Sequence, residues 1–184
     1  ASLLLSMNRL EEAHRLSSRA LVIAEDTFGR EHPFTAAVLL NLGLLYSRQE
    51  KLTAAISVNQ RLLKIQQRTE APDSARLAAT MNRLGVAYYR SGRNTEAEAS
   101  LQRSLAIAEA QPDGMPDAVV SNLYYLANLY VVQKLYSRAE PLYQRLMAIQ
   151  ESTLSPKDPR RATTLDEYAA LLKSTAMKSE AHKL

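Results

Sequence analysis

The sequence predicts an all-α protein, an α-solenoid of stacked antiparallel helix pairs. Helix breakers are scarce, with 5 Gly and 7 Pro in 184 residues, and the abundant Ala, Leu, Arg, Glu and Gln favour helices. Apolar residues recur at the i, i+3, i+4 spacing of one helix face, as at Leu42, Leu45 and Tyr46. In addition, one motif returns at a constant step along the chain, which is typical of solenoid proteins.

The recurring motif begins at residues 41, 83, 125 and 167, so that each step is 42 residues. Other columns keep the same step: Ala13, Ala55, Ala97, Ala139 and Ala181; Ile23, Ile65, Ile107 and Ile149; and Arg19, Arg61, Arg103 and Arg145. Several columns in register over four units do not arise by chance. We therefore predict one array over 1–184, divided as an incomplete repeat at 1–31, repeats at 32–73, 74–115 and 116–157, and an incomplete last repeat at 158–184. Because the chain begins and ends inside a unit, we expect it to be a piece of a longer protein.

Each repeat is predicted to contain two helices. The first helices are expected at 33–48, 74–91, 117–133 and 159–174, and each second helix follows a short polar segment such as 48–51. Loops with Pro and Asp separate the pairs. Asp158 before Pro159 predicts a helix N-cap with Pro at the first helical position, and His32 before Pro33 predicts a capping or loop role.

Small residues predict the places where the two helices of a pair cross. One such column holds Gly43, Gly85, Ala127 and Ala169, and the column expected opposite it holds Ala55, Ala97 and Ala139. A larger side chain there would push the helix axes apart.

These motifs resemble the tetratricopeptide repeat. Leu-Gly-x-x-Tyr at 42–46, with Ala about nine residues later, is similar to its pattern, and the 42-residue step is longer than the usual 34. That longer step resembles the kinesin light chain type of repeat, as do the segments 29–33 (GREHP), 41–46 (NLGLLY) and 101–107 (LQRSLAI). The resemblance implies a right-handed superhelix whose concave face is lined by the first helices, and a non-catalytic scaffold for protein partners.

A comparison of the repeats with one another separates packing columns from candidate binding columns. Columns that keep their chemistry are expected to pack, whereas first-helix columns that change are free to contact a ligand. The changing columns supply the predicted peptide-binding groove: Asn41, Arg48, Asn82, Arg83, Tyr89, Arg90, Tyr124, Tyr125 and Asn128. Asn and Arg can bond a peptide's backbone or acidic side chains, and Tyr offers broad, stiff contact area.

The charges favour an acidic peptide as the partner. The predicted first helices carry seven basic residues against three acidic ones, as large an excess as the whole chain's net charge of +4. The alternative is that these are solvated helix residues, and adding the cap residues Asp73 and Asp158 halves the excess. The column of Arg19, Arg61, Arg103 and Arg145 is expected to form ion pairs with neighbouring repeats, for example with Glu98 or Glu140; the alternative is a second surface for acidic partners.

Other classes of function find little support in the sequence. His14, His32 and His182 are isolated, no phosphate-binding glycine loop occurs, and Cys is absent. We therefore expect no catalytic residues, no metal and no cofactor. The modest net charge argues against nucleic acid. No apolar run approaches the roughly 20 residues of a membrane span, and no signal peptide opens the chain, so we expect a cytoplasmic protein. The alternatives that stay open are a self-association module, hence a homo-oligomer, and a sensor or regulatory module of a larger signalling protein.

Overall fold

The computed structural model describes residues 9–111 and 115–181, and the parts of the predicted repeats at 1–8, 112–114 and 182–184 lie outside it. The described residues form helices and no strand. In chain order the helices are α1 (Leu10–Phe28), α2 (Pro33–Arg48), α3 (Leu52–Thr69), α4 (Ala75–Arg90), α5 (Asn94–Ala110), α6 (Pro116–Val132), α7 (Tyr136–Thr153) and α8 (Pro159–Ala181).

The helices stack as antiparallel pairs. Each packs against the next in sequence, and α4 also contacts α6, so that first helices of neighbouring pairs touch directly. This arrangement confirms the predicted right-handed superhelical α-solenoid. The division of the chain into repeats stays a prediction.

The turns inside the three complete pairs share the same backbone conformation. Glu50, Gly92 and Lys134 adopt positive φ angles of 57°, 74° and 60°. The residue that follows each of them donates its N–H to a carbonyl five positions back, as in Arg93 N to Tyr88 O at 2.9 Å. This is the Schellman ending of an α-helix, in which the left-handed residue favours glycine. Only the middle turn has glycine there.

Capping side chains start several of the first helices, as the sequence predicted. His32 caps α2, where its Nδ1 accepts from Phe34 N at 3.1 Å. Asp158 Oδ1 accepts from Arg160 N at 2.9 Å just before Pro159 begins α8. Ser74 caps α4 in the same way by accepting from Leu77 N. These contacts satisfy N–H groups that have no partner inside the helix.

The small columns lie in the core except at Ala169, which is exposed because no described helix follows α8 to cross it. Their predicted pairing also changes. Gly43 and Gly85 are buried, and Ala55 and Ala97 are fully buried. A Cβ built on Gly85, however, would lie nearest to Leu101, and one on Gly43 nearest to Asn59. Each glycine therefore faces the residue one helical turn after the alanine expected opposite it.

Two members of the arginine column form ion pairs between neighbouring pairs of helices, with carboxylates other than those expected. Arg19 and Arg103 form no ion pair within the described residues. Arg61 pairs with Glu25, and Arg145 with Glu109. Glu98 pairs instead with Arg138. The predicted partners Glu98 and Glu140 were wrong because the side chain that reaches each arginine comes from the preceding second helix, 36 residues earlier.

Candidate functional site

Four adjoining cavities follow the first helices. The first two measure about 280 and 260 Å³ and share Leu40, Gln66 and Arg76 as walls. Arg83 borders both the second cavity and the third, which measures about 270 Å³. Ser121 borders both the third cavity and the fourth, which measures about 500 Å³. Because neighbouring cavities share wall residues, they form one row, called the groove below.

Arg83 is a half-buried cation in the wall of the groove. Its Nη1 lies 3.4 Å from Thr80 Oγ1, a weak contact with a neutral group. Burial lowers the pKa of Arg83, because a partly desolvated site disfavours the charged form. Within the described ranges no carboxylate oxygen lies within 4.0 Å of a guanidinium nitrogen of Arg83, which is the limit for an ion pair. Its charge is therefore uncompensated in this part of the chain.

Most other cations of the first helices already have a carboxylate partner. Arg76 lies 3.8 Å from Glu70, and Arg90 lies 2.9 Å from Glu50. Two pairs stand on α8: Arg160 with Asp158 and Arg161 with Glu151. Four of the seven cations counted from the sequence are thus neutralised in place. Of the others, Arg83 is half-buried in the wall of the groove, whereas Lys173 is exposed. Of the other two predicted polar residues on α2, Asn41 is half-buried and Arg48 is exposed.

Asn82 holds two first helices together. Its Nδ2 donates to Ser121 Oγ at 3.0 Å and to Asn122 Oδ1 at 2.8 Å. Asn122 Nδ2 donates to Ser104 Oγ at 2.9 Å, and Ser104 Oγ donates to Ala78 O at 2.8 Å. Asn82 borders the third cavity, but its amide nitrogen is used inside the protein. Its predicted role as a ligand donor would require this network to open.

The predicted tyrosines meet where the third and fourth cavities adjoin. The Tyr125 ring lies 5.7 Å from that of Tyr89 and 5.2 Å from that of Tyr124, both edge to face. Tyr124 OH donates to Glu167 Oε1 at 2.8 Å, and Asn128 Nδ2 donates to Glu167 Oε2 at 3.2 Å. Burial, together with Glu167, raises the pKa of Tyr124 to about 12. The structure thus brings three predicted residues into contact and adds a carboxylate to them.

Sequence reasoning missed two glutamines that enter the groove from the second helices. Gln66 and Gln150 are only 6% and 4% exposed, and the Oε1 atom of each has no hydrogen-bond partner in the described part of the chain. They border the second and the fourth cavity. The signal was in the sequence, because they share one column two repeats apart, with Ala108 between them.

The walls of these cavities match by column as well. Thr80 borders the second cavity and Thr164 the fourth, again two repeats apart. The pair of helices between them has Asn122 in that column. There the hydrogen bonds of Asn122 with Asn82 and Ser104 occupy the corresponding space. The groove therefore has two open segments of similar construction on either side of a hydrogen-bonded middle.

The described residues hold no cluster of three or more His, Asp and Glu side chains that could bind a metal, and His182 lies outside them. In the same ranges no helix is long and apolar enough to cross a membrane.

Stacked helix pairs with a row of cavities along their first helices define a helical repeat protein with a surface for other proteins. The tetratricopeptide repeat profile matches residues 1–68, 46–110 and 123–160, together more than half of the chain. The chain belongs to the tetratricopeptide repeat family. No curated protein matches it.

Solved structures of similar fold include proteins of the kinesin light chain type. The nearly identical TPR-like repeats of a Podosopora anserina protein described as a kinesin light chain superpose with a TM-score of 0.75 at 24% identity, over 97% of this chain and 84% of that one. A point variant of the same protein gives a TM-score of 0.76. BtubC (BKLC) from P. vanneervenii gives 0.73 at 24% identity, over 82% of this chain and 61% of that one. These likenesses confirm the fold, and the chain is a scaffold for protein–protein interaction.

Proposed function

We propose that this scaffold catalyses no reaction and holds an extended peptide segment of a partner protein in the groove, with an acidic side chain of that segment against Arg83. The observation that carries the proposal is the uncompensated, half-buried charge of Arg83 between two open cavities. A charge that is partly withdrawn from water without a counter-charge is costly. A ligand carboxylate offsets that cost and can form two parallel hydrogen bonds with the guanidinium group.

The rest of the groove supports an extended chain as the ligand. Gln66 and Gln150 each carry an amide oxygen without a hydrogen-bond partner in the described ranges, and such an acceptor pairs well with a peptide N–H group. Between them lie the rings of Tyr124 and Tyr125, which offer rigid area for side-chain contact. The four adjoining cavities fit a long, narrow ligand better than a compact small molecule.

The proposal is tested by fluorescence polarisation with labelled acidic, neutral and basic peptides of equal length. Parent protein is compared with Arg83→Glu and with the control Arg103→Glu, which makes the same charge change at an exposed position of helix α5. We expect acidic peptides to bind the parent, with affinity that falls as salt rises. Arg83→Glu should lose about 2 kcal/mol of binding free energy, roughly 30-fold in Kd, and Arg103→Glu should change little.

Two results would contradict the proposal. Equal losses in both variants would show that only net charge matters and that Arg83 makes no specific contact. No binding to the parent, together with concentration-dependent dimerisation in analytical ultracentrifugation, would favour a self-association module instead.

A further inference from the structure

Glu167 carries a second uncompensated charge, next to the groove, because its hydrogen-bond partner Tyr124 borders the fourth cavity. Both of its carboxylate oxygens accept hydrogen bonds, from Tyr124 OH at 2.8 Å and Asn128 Nδ2 at 3.2 Å. Both donors are neutral groups. Across the described ranges no Lys, Arg or His nitrogen lies within 4.0 Å of this half-buried carboxylate. The side chain is therefore held in a fixed place while its charge stays unpaired.

The negative charge of Glu167 affects the pKa values of three nearby tyrosines. Burial is the first cause that raises the pKa values of Tyr89, Tyr124 and Tyr143, and the charge of Glu167 raises each of them further. Phenols resist ionisation beside a carboxylate because the two negative charges repel each other. The same field attracts a cation.

The side chains that adjoin Glu167 also suit a cation. The rings of Tyr89, Tyr125 and Tyr124 form a row of edge-to-face contacts that ends at the Tyr124–Glu167 hydrogen bond. Tyrosine faces attract ammonium and guanidinium groups through the ring quadrupole. A carboxylate beside such rings is the chemistry that recognises a lysine or arginine side chain.

The same row of rings connects Glu167 to Arg83. Arg83 and Tyr125 border one cavity, and the Tyr125 ring contacts that of Tyr124, whose hydroxyl reaches Glu167. Arg83 borders the third cavity, and Glu167 is bonded to Tyr124, which borders the fourth; the two opposite charges form no ion pair with each other. A ligand that satisfies both must carry the opposite charges in a matching order.

We propose that Glu167, Tyr124 and Tyr125 form a subsite for a lysine or arginine side chain of the bound peptide, so that the groove selects a peptide with separated acidic and basic residues and fixes its direction. This inference rests on the proposed function, because it assigns the basic residue to the same peptide whose acidic residue meets Arg83. The partner is thus a dipolar segment rather than a uniformly acidic one.

The test uses pairs of labelled peptides of identical composition, in which an acidic block precedes a basic block or follows it. Fluorescence polarisation measures both orders on the parent, on Glu167→Lys and Glu167→Gln, and on the control Glu140→Lys, whose site is half-buried on helix α7. We expect the parent to bind one order with an affinity at least about tenfold higher, because the other order loses the close charge pair with Glu167. Glu167→Lys should abolish or reverse the preference, Glu167→Gln should weaken it, and Glu140→Lys should keep it.

The outcomes separate this inference from the proposed function. If acidic peptides bind and depend on Arg83, but peptide order and both Glu167 variants make no difference, the cation subsite is refuted and the acidic site stands. If no peptide binds the parent, both fail. Circular dichroism checks the fold of each variant, and if Glu167→Lys unfolds, Glu167→Gln decides, since it removes the charge and keeps an acceptor for Tyr124.

Discussion

Replacement of Gly85 by alanine tests how closely the two helices of a pair approach. An alanine Cβ at this position would lie 2.5 Å from Leu101 Cγ, 2.7 Å from its Cδ2 and 3.2 Å from its backbone nitrogen. Carbon atoms in ordinary contact are about 3.5–4.0 Å apart. Leu101 is fully buried, and its backbone nitrogen can move only with helix α5.

The magnitude follows from two opposing effects. Overpacking of a close-packed core costs typically about 1–3 kcal/mol, and the contact with backbone places Gly85→Ala near the upper end, at about 3 kcal/mol. Alanine in a helix interior recovers about 1 kcal/mol relative to glycine. The net loss is about 2 kcal/mol, which for a chain of this length lowers the melting temperature by roughly 4–8 °C.

Gly43→Ala is the matched control for that substitution. The three atoms nearest to its new Cβ all belong to the side-chain amide of Asn59, at 2.8, 2.8 and 3.1 Å. A side-chain amide can turn away, although here it must weaken its 2.8 Å bond to Ala55 O. We expect a net loss below about 1 kcal/mol. Thermal melts followed by circular dichroism measure both variants, and an unchanged midpoint for Gly85→Ala, or a larger loss for Gly43→Ala, would refute the reasoning.

Two further predictions concern a turn and a titration. Lys134→Gly should stabilise the fold by about 1 kcal/mol, because φ of 60° strains a residue with a Cβ; an unchanged urea midpoint would contradict this. The raised pKa of Tyr124 contributes stability that is present below the pKa of a free phenol, about 10, and is lost as pH rises through about 12. In an absorbance titration of the tyrosines, Glu167→Gln should lower the pH at which the last tyrosines ionise. An unshifted curve would show that Glu167 does not raise their pKa values.

The sequence predicted the fold well because each packing column repeats every 42 residues. A helix pair buries its apolar face only against its neighbours, so one period in the sequence sets both the helices and their stacking. The caps at His32 and Asp158 depend on adjacent residues and were confirmed for the same reason. Local and periodic features are therefore accessible without coordinates.

The electrostatics of the groove were less accessible, because they depend on which side chains meet across repeats. Arg90 pairs with Glu50, 40 residues earlier, and Tyr124 with Glu167, 43 residues later. Charge counted along the first helices included these cations without their partners and predicted a broadly basic groove. The curvature of the stack decides the reach of each side chain, and no column pattern contains that information.

The columns that change between repeats contain the unpaired polar and charged groups that destabilise this fold. The groove and its border contain an unpaired arginine, an unpaired glutamate and two buried amide oxygens without partners in the described ranges. In contrast, Ala55, Ala97 and Ala139 of a repeated column are fully buried apolar residues. Each such polar group destabilises the isolated protein, and apolar residues of similar size would be nearly neutral there or stabilising. Packing by the repeated columns can offset these costs because stability in a stacked array sums over its repeats. A ligand that supplies the missing partners recovers what the isolated protein loses, and this is the physical reason to place the binding site at Arg83 and Glu167.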